Sequence, residues 1–238
     1  MSTDLNYCEK HACNKIFYQQ WSCIKCGEEL IKRGRVEHTE NLIKNLKAIK
    51  LKNAQIPLDL LKKDLNNFFL VNERSKEIVD LAINYVRQIV KKNNHWNLMI
   101  IGPTGVGKSH IAVGILKYYF EQKKSFSSIG YTSAFDLANK VIATWNNPDL
   151  NENSILNEYS EIDLLIIDDL GYADEGKKSE IINKVIYRRH EKQKSTIITS
   201  NLKGNQVLDY MGSRTRSRFL SRLSSIIEIE SEDYRLMN

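Results

Sequence analysis

Apolar positions along this chain switch between two periods, and the switching lays out an architecture. Leu98-Met99-Ile100-Ile101 is an unbroken apolar run stopped by Gly102, the pattern of a strand buried on both faces. Comparable runs predict strands over residues 127–131, 163–167, 196–199 and 226–229. Helical spacing begins between them at Lys108, Ala134 and Lys177. An earlier helix is expected over residues 73–90, where Ile78, Ala82, Val86 and Ile89 share one face. Strands alternating with helices imply an α/β fold with a mainly parallel five-stranded sheet covered on both sides. Upstream, a helix over residues 42–51 must end near Ile56-Pro57, because proline lacks the N–H that a helix interior needs. The Asn-rich residues 146–158 read as a surface loop or a broken helix.

With 238 residues the chain has room for one main core and a small appendage, here divided as residues 1–55 and 56–238. At 42% hydrophobic and 27% charged, its composition excludes disorder and fibrous repeats. No apolar run approaches the roughly 20 residues of a membrane span, and no basic stretch followed by an apolar one opens the chain. The expectation is a cytoplasmic protein without a membrane partner. Charge is uneven: residues 30–63 carry nine Lys or Arg against three Asp or Glu, an excess equal to the net +6 of the whole chain. Such a segment suits nucleic acid, an acidic partner, or simply a solvated helix face.

Chemistry concentrates at Gly102-Pro103-Thr104-Gly105-Val106-Gly107-Lys108-Ser109, which fits the phosphate-loop pattern with a strand before it and a helix after it. The glycines let backbone N–H groups face the phosphates, and the following helix presents its positive end to them. Lys108 is expected to reach the β- and γ-phosphates of ATP, and the Ser109 hydroxyl to ligate Mg²⁺. A second apolar strand ends in Asp168 and Asp169. Asp168 is assigned to Mg²⁺, directly or through water, and Asp169 to orienting the attacking water. Adjacent aspartates also suit a loop start or helix cap, but a position 60 residues after Lys108, with one strand and helix pair between, favours catalysis. Asn201, after the third strand, is the candidate sensor of the γ-phosphate.

The four cysteines lie between residues 8 and 26. Cys8-Glu9-Lys10-His11 and Cys23-Ile24-Lys25-Cys26 form two pairs with two-residue spacing, each able to grip one edge of a tetrahedral Zn²⁺. The expected ligands are Cys8, His11, Cys23 and Cys26, with Cys13 as the alternative to His11. A closed set of four is structural, and metal would supply most of the folding energy of so short a segment. Phe17, Tyr18 and Trp21 beside it can pack on the metal knuckles, stack bases or meet a partner.

From about Ile56 onward the sequence resembles the AAA+ ATPases of the DnaC and DnaI helicase-loader type and the related IstB transposition helpers. The resemblance rests on GPTGVGKSH, LLIIDDLG, IINKVIYRR, TIITSN, GSRTRSR at residues 212–218, and the terminal Asp233-Tyr234-Arg235. It extends the nucleotide-binding segment to His110. It implies Arg218, or alternatively Arg222, as an arginine finger that a neighbouring subunit inserts against the γ-phosphate, so that a homo-oligomer completes the site. Asp169 replaces the Glu more usual at that place, and slow hydrolysis is the expected consequence. The 37 residues after Asn201 suffice for two short helices and a last strand, without a full helical lid or a duplex-reading module. The resemblance thus implies a weak ATPase that loads the replicative helicase in DNA replication, with its N-terminal region docked on the helicase and single-stranded DNA as a further partner. An ATP-dependent transposition helper is the alternative. Phe68-Phe69-Leu70-Val71 is placed either against adenine or in the core.

Overall fold

The computed structural model describes residues 7–14, 16–18, 20–22, 24–68, 73–91, 95–123, 127–147, 149–172 and 176–230. The chain divides into two compact units, residues 1–49 and 50–238. In the first, β1 (Tyr7–Cys8) pairs antiparallel with β2 (Cys13–Asn14), and β3 (Ile16–Tyr18) with β4 (Gln20–Ser22). Helix α1 (Ile24–Asn53) follows. It starts well before the helix expected over 42–51, because the charged stretch ahead of it contains no proline to stop it. Cys26 therefore sits on the first turn of a helix and not in a free loop.

The second unit contains α2 (Glu73–Lys91), β5 (Asn97–Ile101), α3 (Lys108–Gln122), β6 (Ile129–Ser133), α4 (Ala134–Ala143), α5 (Glu152–Glu161), β7 (Leu164–Asp168), α6 (Lys177–Glu191), β8 (Ser195–Ser200), α7 (Gly204–Tyr210), α8 (Gly212–Ser221) and β9 (Leu223–Glu228). The five long strands form one parallel sheet in the order β6-β7-β8-β5-β9. Alternation along each strand splits the core in two. Leu98, Ile100, Leu164, Ile166, Ile197 and Ile227 pack with α2 and α3 on one face. Met99, Ile101, Leu165, Ile167 and Ile198 pack with α4 to α8 on the other. Both faces being covered explains the unbroken apolar runs.

Differences from the sequence expectation lie at edges. Strand β6 begins at Ile129 and not at 127, because the Asp163 carboxylate accepts from the N–H of Ser128 at 2.8 Å and from its hydroxyl at 3.0 Å. It runs on to Ser133, which is in register with Asp168. Strand β9 begins at Leu223, earlier than the expected 226, since backbone pairing with β5 carries its polar Ser224 and Ser225 into the sheet. The Asn-rich stretch holds a 3-10 turn, Thr144–Asn146, and then α5, which opens where the Asn151 side chain caps the N–H of Asn153 at 2.8 Å. Phe68 is a core residue, 5% exposed, with its ring against Gly107; residues 69–71 lie outside the described residues.

Candidate nucleotide-binding site and cysteine cluster

Strand order places the site. Chain that leaves β5 crosses through α3 to the far edge strand β6, so the carboxyl end of β5 opens between β8 and β9, where open parallel sheets take ligands. The 102–109 segment lies there, between β5 and α3. Two backbone features force its shape. Gly102 (φ 152°) runs against β9's exit, and a Cβ on it would lie 2.3 Å from the Ile229 carbonyl oxygen. Gly107 adopts φ 93° as it enters α3, and a Cβ there would sit 2.9 Å from the Phe68 ring. Only glycine accepts both the conformation and the contact.

Lys108 is 5% exposed, and its Nζ donates to the Pro103 carbonyl and to Asn201 Oδ1, both at 2.6 Å. The expected phosphate-binding amine and the expected sensor thus meet directly. Ser109 Oγ donates to Asp168 Oδ1 at 3.0 Å. Two oxygens on adjacent vertices of a Mg²⁺ octahedron with Mg–O of about 2.1 Å are separated by about 3.0 Å, so this pair fits the edge of that ion. His110 turns elsewhere: Nε2–H donates to the Asp64 carbonyl and Asn67 Oδ1, both at 2.9 Å, and its ring meets Phe68 edge-on. Burial pushes its imidazole below the usual 6.5.

Asp168 ends β7 and is 4% exposed. Beyond Ser109, its Oδ1 accepts from the Thr199 hydroxyl of β8, and its Oδ2 accepts from the Tyr131 hydroxyl of β6. Burial, then the neighbouring carboxylate, push the Tyr131 phenol well up, so it remains a donor. Asp169 is exposed and adopts φ 54°, with its N–H donated to Thr199 Oγ1 at 2.9 Å. Aspartate tolerates this left-handed conformation better than longer side chains do, since its short carboxylate can bond locally. Tyr131 and Thr199 escape a sequence reading, because what marks them is strand adjacency and not spacing.

Arg218 lies on α8 with its guanidinium 4.4 Å from the centre of the Tyr187 ring. It donates to Glu191 Oε1 at 2.8 Å and to the Tyr187 hydroxyl at 3.0 Å, both on α6. Arg222 follows the last turn of α8, and its carbonyl accepts from the N–H of Asn97 at 2.6 Å. A different arginine dominates the interior. Arg189 is 0% exposed and donates to the carbonyls of Tyr159, Ile162 and Ser195 and to the Thr196 hydroxyl. Burial brings its pKa down to about 9. It joins α5, α6 and β8 from within.

In the N-terminal unit Cys8 Sγ, His11 Nδ1 and Cys26 Sγ converge, with separations of 3.8 Å between the sulfurs, 3.7 Å from Cys8 to His11 and 3.3 Å from Cys26 to His11. With Zn–S near 2.3 Å and Zn–N near 2.05 Å, tetrahedral edges are about 3.8 and 3.5 Å. The three atoms therefore fit three corners of a zinc site. Cys13 sits across the β1–β2 pair from Cys8 and is not in this cluster of described residues, while Cys23 lies outside the described residues. His11 Nε2–H donates to Glu29 Oε1 at 2.9 Å, which orients the ring with Nδ1 toward the two sulfurs.

A model of the IstB-like ATP binding proteins matches residues 13–238. The chain belongs to that family. Among curated relatives of this IstB-like protein, the replicative helicase loader DnaC of Buchnera aphidicola subsp. Baizongia pistaciae is 27% identical over 218 residues, covering 87% of this chain and 86% of the relative. The crystal structure of the DnaC helicase loader matches with a TM-score of 0.63 at 21% identity, covering 73% of this chain and 99% of that one. DnaI matches with a TM-score of 0.60 at 20% identity, covering 74% and 95%. At such identities the structures speak to fold, and the fold is that of an AAA+ P-loop NTPase. ATP binding is a property of the family. No helix among the described residues is long and apolar enough to cross a membrane.

Proposed function

We propose that this IstB-like protein is an ATP-dependent loader of the replicative DNA helicase, an oligomeric switch acting in replication initiation. The observation that carries the ATP part is the convergence of Lys108, Ser109, Asp168 and Asn201 at the carboxyl ends of β5, β7 and β8. In this reading Mg²⁺ supplies charge neutralisation at the β- and γ-phosphates, held by Ser109 and Asp168. The 102–107 backbone orients the triphosphate, Lys108 exchanges its present partners for phosphate oxygens, and Asp169 accepts the proton of a water aligned with Asn201. Arg218 is the finger offered to a neighbouring copy, with Arg222 as its substitute. Low turnover follows from the short reach of Asp169 and from the need for a second subunit.

The loader assignment is supported by the resemblance to DnaC over most of both chains. Its N-terminal region, residues 1–55, is assigned to docking on the helicase. Leu42, Leu46 and Ile49, exposed at helical spacing on the basic α1, suit a groove on an acidic partner. Single-stranded DNA is supported by exposed aromatics beside lysines: Lys178 lies 4.1 Å from the Phe135 ring and Lys177 5.6 Å from the Trp145 ring. Zinc is assigned to Cys8, His11 and Cys26, with Cys23 as fourth ligand. Metal analysis of reduced protein is expected to give one equivalent of zinc, and less than half an equivalent removes that assignment.

Native mass spectrometry of the chain with the host's replicative helicase, with and without an ATP analogue, tests the function. A defined nucleotide-dependent complex, weakened by Lys108→Ala and Arg218→Ala, is expected. Absence of a complex together with nucleotide-dependent oligomers on DNA would instead favour the transposition helper.

A further inference from the structure

We propose that Tyr131 is a positioning residue for the Mg²⁺-binding carboxylate, fixing Asp168 from the strand on the side away from the phosphate loop. The inference rests on the reading of Asp168 as the Mg²⁺ ligand. Tyr131 pairs in register with Ile166, two residues before Asp168, so both side chains emerge on the same face of adjacent strands. The phenol is 8% exposed and its hydroxyl donates to Asp168 Oδ2. On the other side of β7, Thr199 is fully buried and donates to Oδ1, the oxygen shared with Ser109. The two oxygens thus have separate duties: Oδ1 faces Ser109 and the phosphate loop, and Oδ2 is held by a donor that an ion could displace only by leaving the buried Tyr131 hydroxyl without its acceptor. Tyr131 is itself pinned, since its N–H donates to the Ala54 carbonyl at 2.8 Å. A ring anchored at its backbone and its hydroxyl sets the rotation of the carboxylate plane, which decides whether Oδ1 presents a lone pair to the Ser109 edge.

Outer donors of this kind typically change metal affinity by about 10- to 100-fold when removed. The test is a Mg²⁺ titration of fluorescent ATP-analogue binding for wild type, Tyr131→Phe, Tyr131→His and Asp168→Asn, repeated in chelator. Tyr131→Phe is expected to raise the Mg²⁺ concentration for half-saturation about tenfold, with metal-free nucleotide binding unchanged. Tyr131→His, which keeps a donor, is expected to recover part of the shift, and it carries the test should the Phe variant fail to fold. Folded variants with wild-type Mg²⁺ dependence overturn the inference, as does an equal loss of binding in chelator, which would mark a merely structural role. Asp168→Asn separates the two layers: a wild-type Mg²⁺ profile for that variant sinks the Asp168 reading itself, whereas a shifted profile beside an unshifted Tyr131→Phe sinks only the role of Tyr131.

Discussion

Replacing Asn201 by alanine separates ground-state binding from hydrolysis, and the structure gives the sign of each. The Lys108 ammonium is 5% exposed and donates to Asn201 Oδ1 and the Pro103 carbonyl at 2.6 Å each. A hydrogen bond to a charged group contributes about 1.5–3 kcal/mol. To serve the phosphates, Lys108 must give up at least one of these partners, so the Asn201 contact opposes nucleotide binding. Asn201 is exposed, and water replaces part of what its removal takes away. The net effect on binding is therefore about 0.7–1.4 kcal/mol, and Asn201→Ala is expected to bind ATP analogue about three- to tenfold more tightly. Under the proposed sensor role of Asn201, hydrolysis moves the other way, falling roughly ten- to hundredfold as a polar group beside the developing charge is lost. Equilibrium fluorescence titration and single-turnover hydrolysis read the two quantities separately. Tenfold weaker binding with an unchanged rate would refute the reasoning, because Asn201 would then be a ground-state phosphate ligand alone.

Asp169→Glu, with one more methylene of reach, is expected to raise single-turnover hydrolysis several-fold while lowering stability by under about 1 kcal/mol for the left-handed backbone at that residue; an unchanged or lower rate counts against limited reach. Arg189→Met leaves three carbonyls and a hydroxyl without their buried donor and is expected to cost about 3–5 kcal/mol in urea unfolding, a loss below 1 kcal/mol being incompatible with that role. His110 has a folded pKa held below 6.5 by burial, so protonation favours the unfolded chain. Its contribution is complete above pH 6.5 and is lost as pH falls through the lower folded value. His110→Gln is expected to flatten the decline in melting temperature below pH 6.5 relative to wild type, and parallel declines would exclude the residue.

Some of this protein was legible in its sequence because the determining interactions are local. The phosphate loop needs a strand, glycines at positive φ and a helix start, all within a dozen residues, so residues 102–109 announce themselves by spacing. Runs such as Leu98 to Ile101 mark strands buried on both faces irrespective of their neighbours, and the class of fold followed from their alternation with helices. The two-residue spacings grouped Cys8 with His11 and Cys23 with Cys26, and the fold brings His11 Nδ1 beside the Cys8 and Cys26 sulfurs, with Cys13 outside that cluster of described residues.

What tertiary structure decided is what depends on strand order and register. Nothing near Tyr131 in the chain indicates that it donates to a carboxylate 37 residues later; parallel pairing of β6 with β7 brings them together. The same holds for Lys108 with Asn201, 93 residues apart, and for Arg189, whose four acceptors come from two other elements and the loop ends beside them. Edges moved for a similar reason: Ser127 and Ser128 carry β-compatible sequence, yet Asp163 takes the Ser128 donors, while Ser225 joins a strand because it pairs with Leu98 of β5. Short-range chemistry wrote the phosphate loop into the sequence, and the parallel crossovers, which join residues far apart in the chain, assembled Asp168, Asn201 and their supports around it.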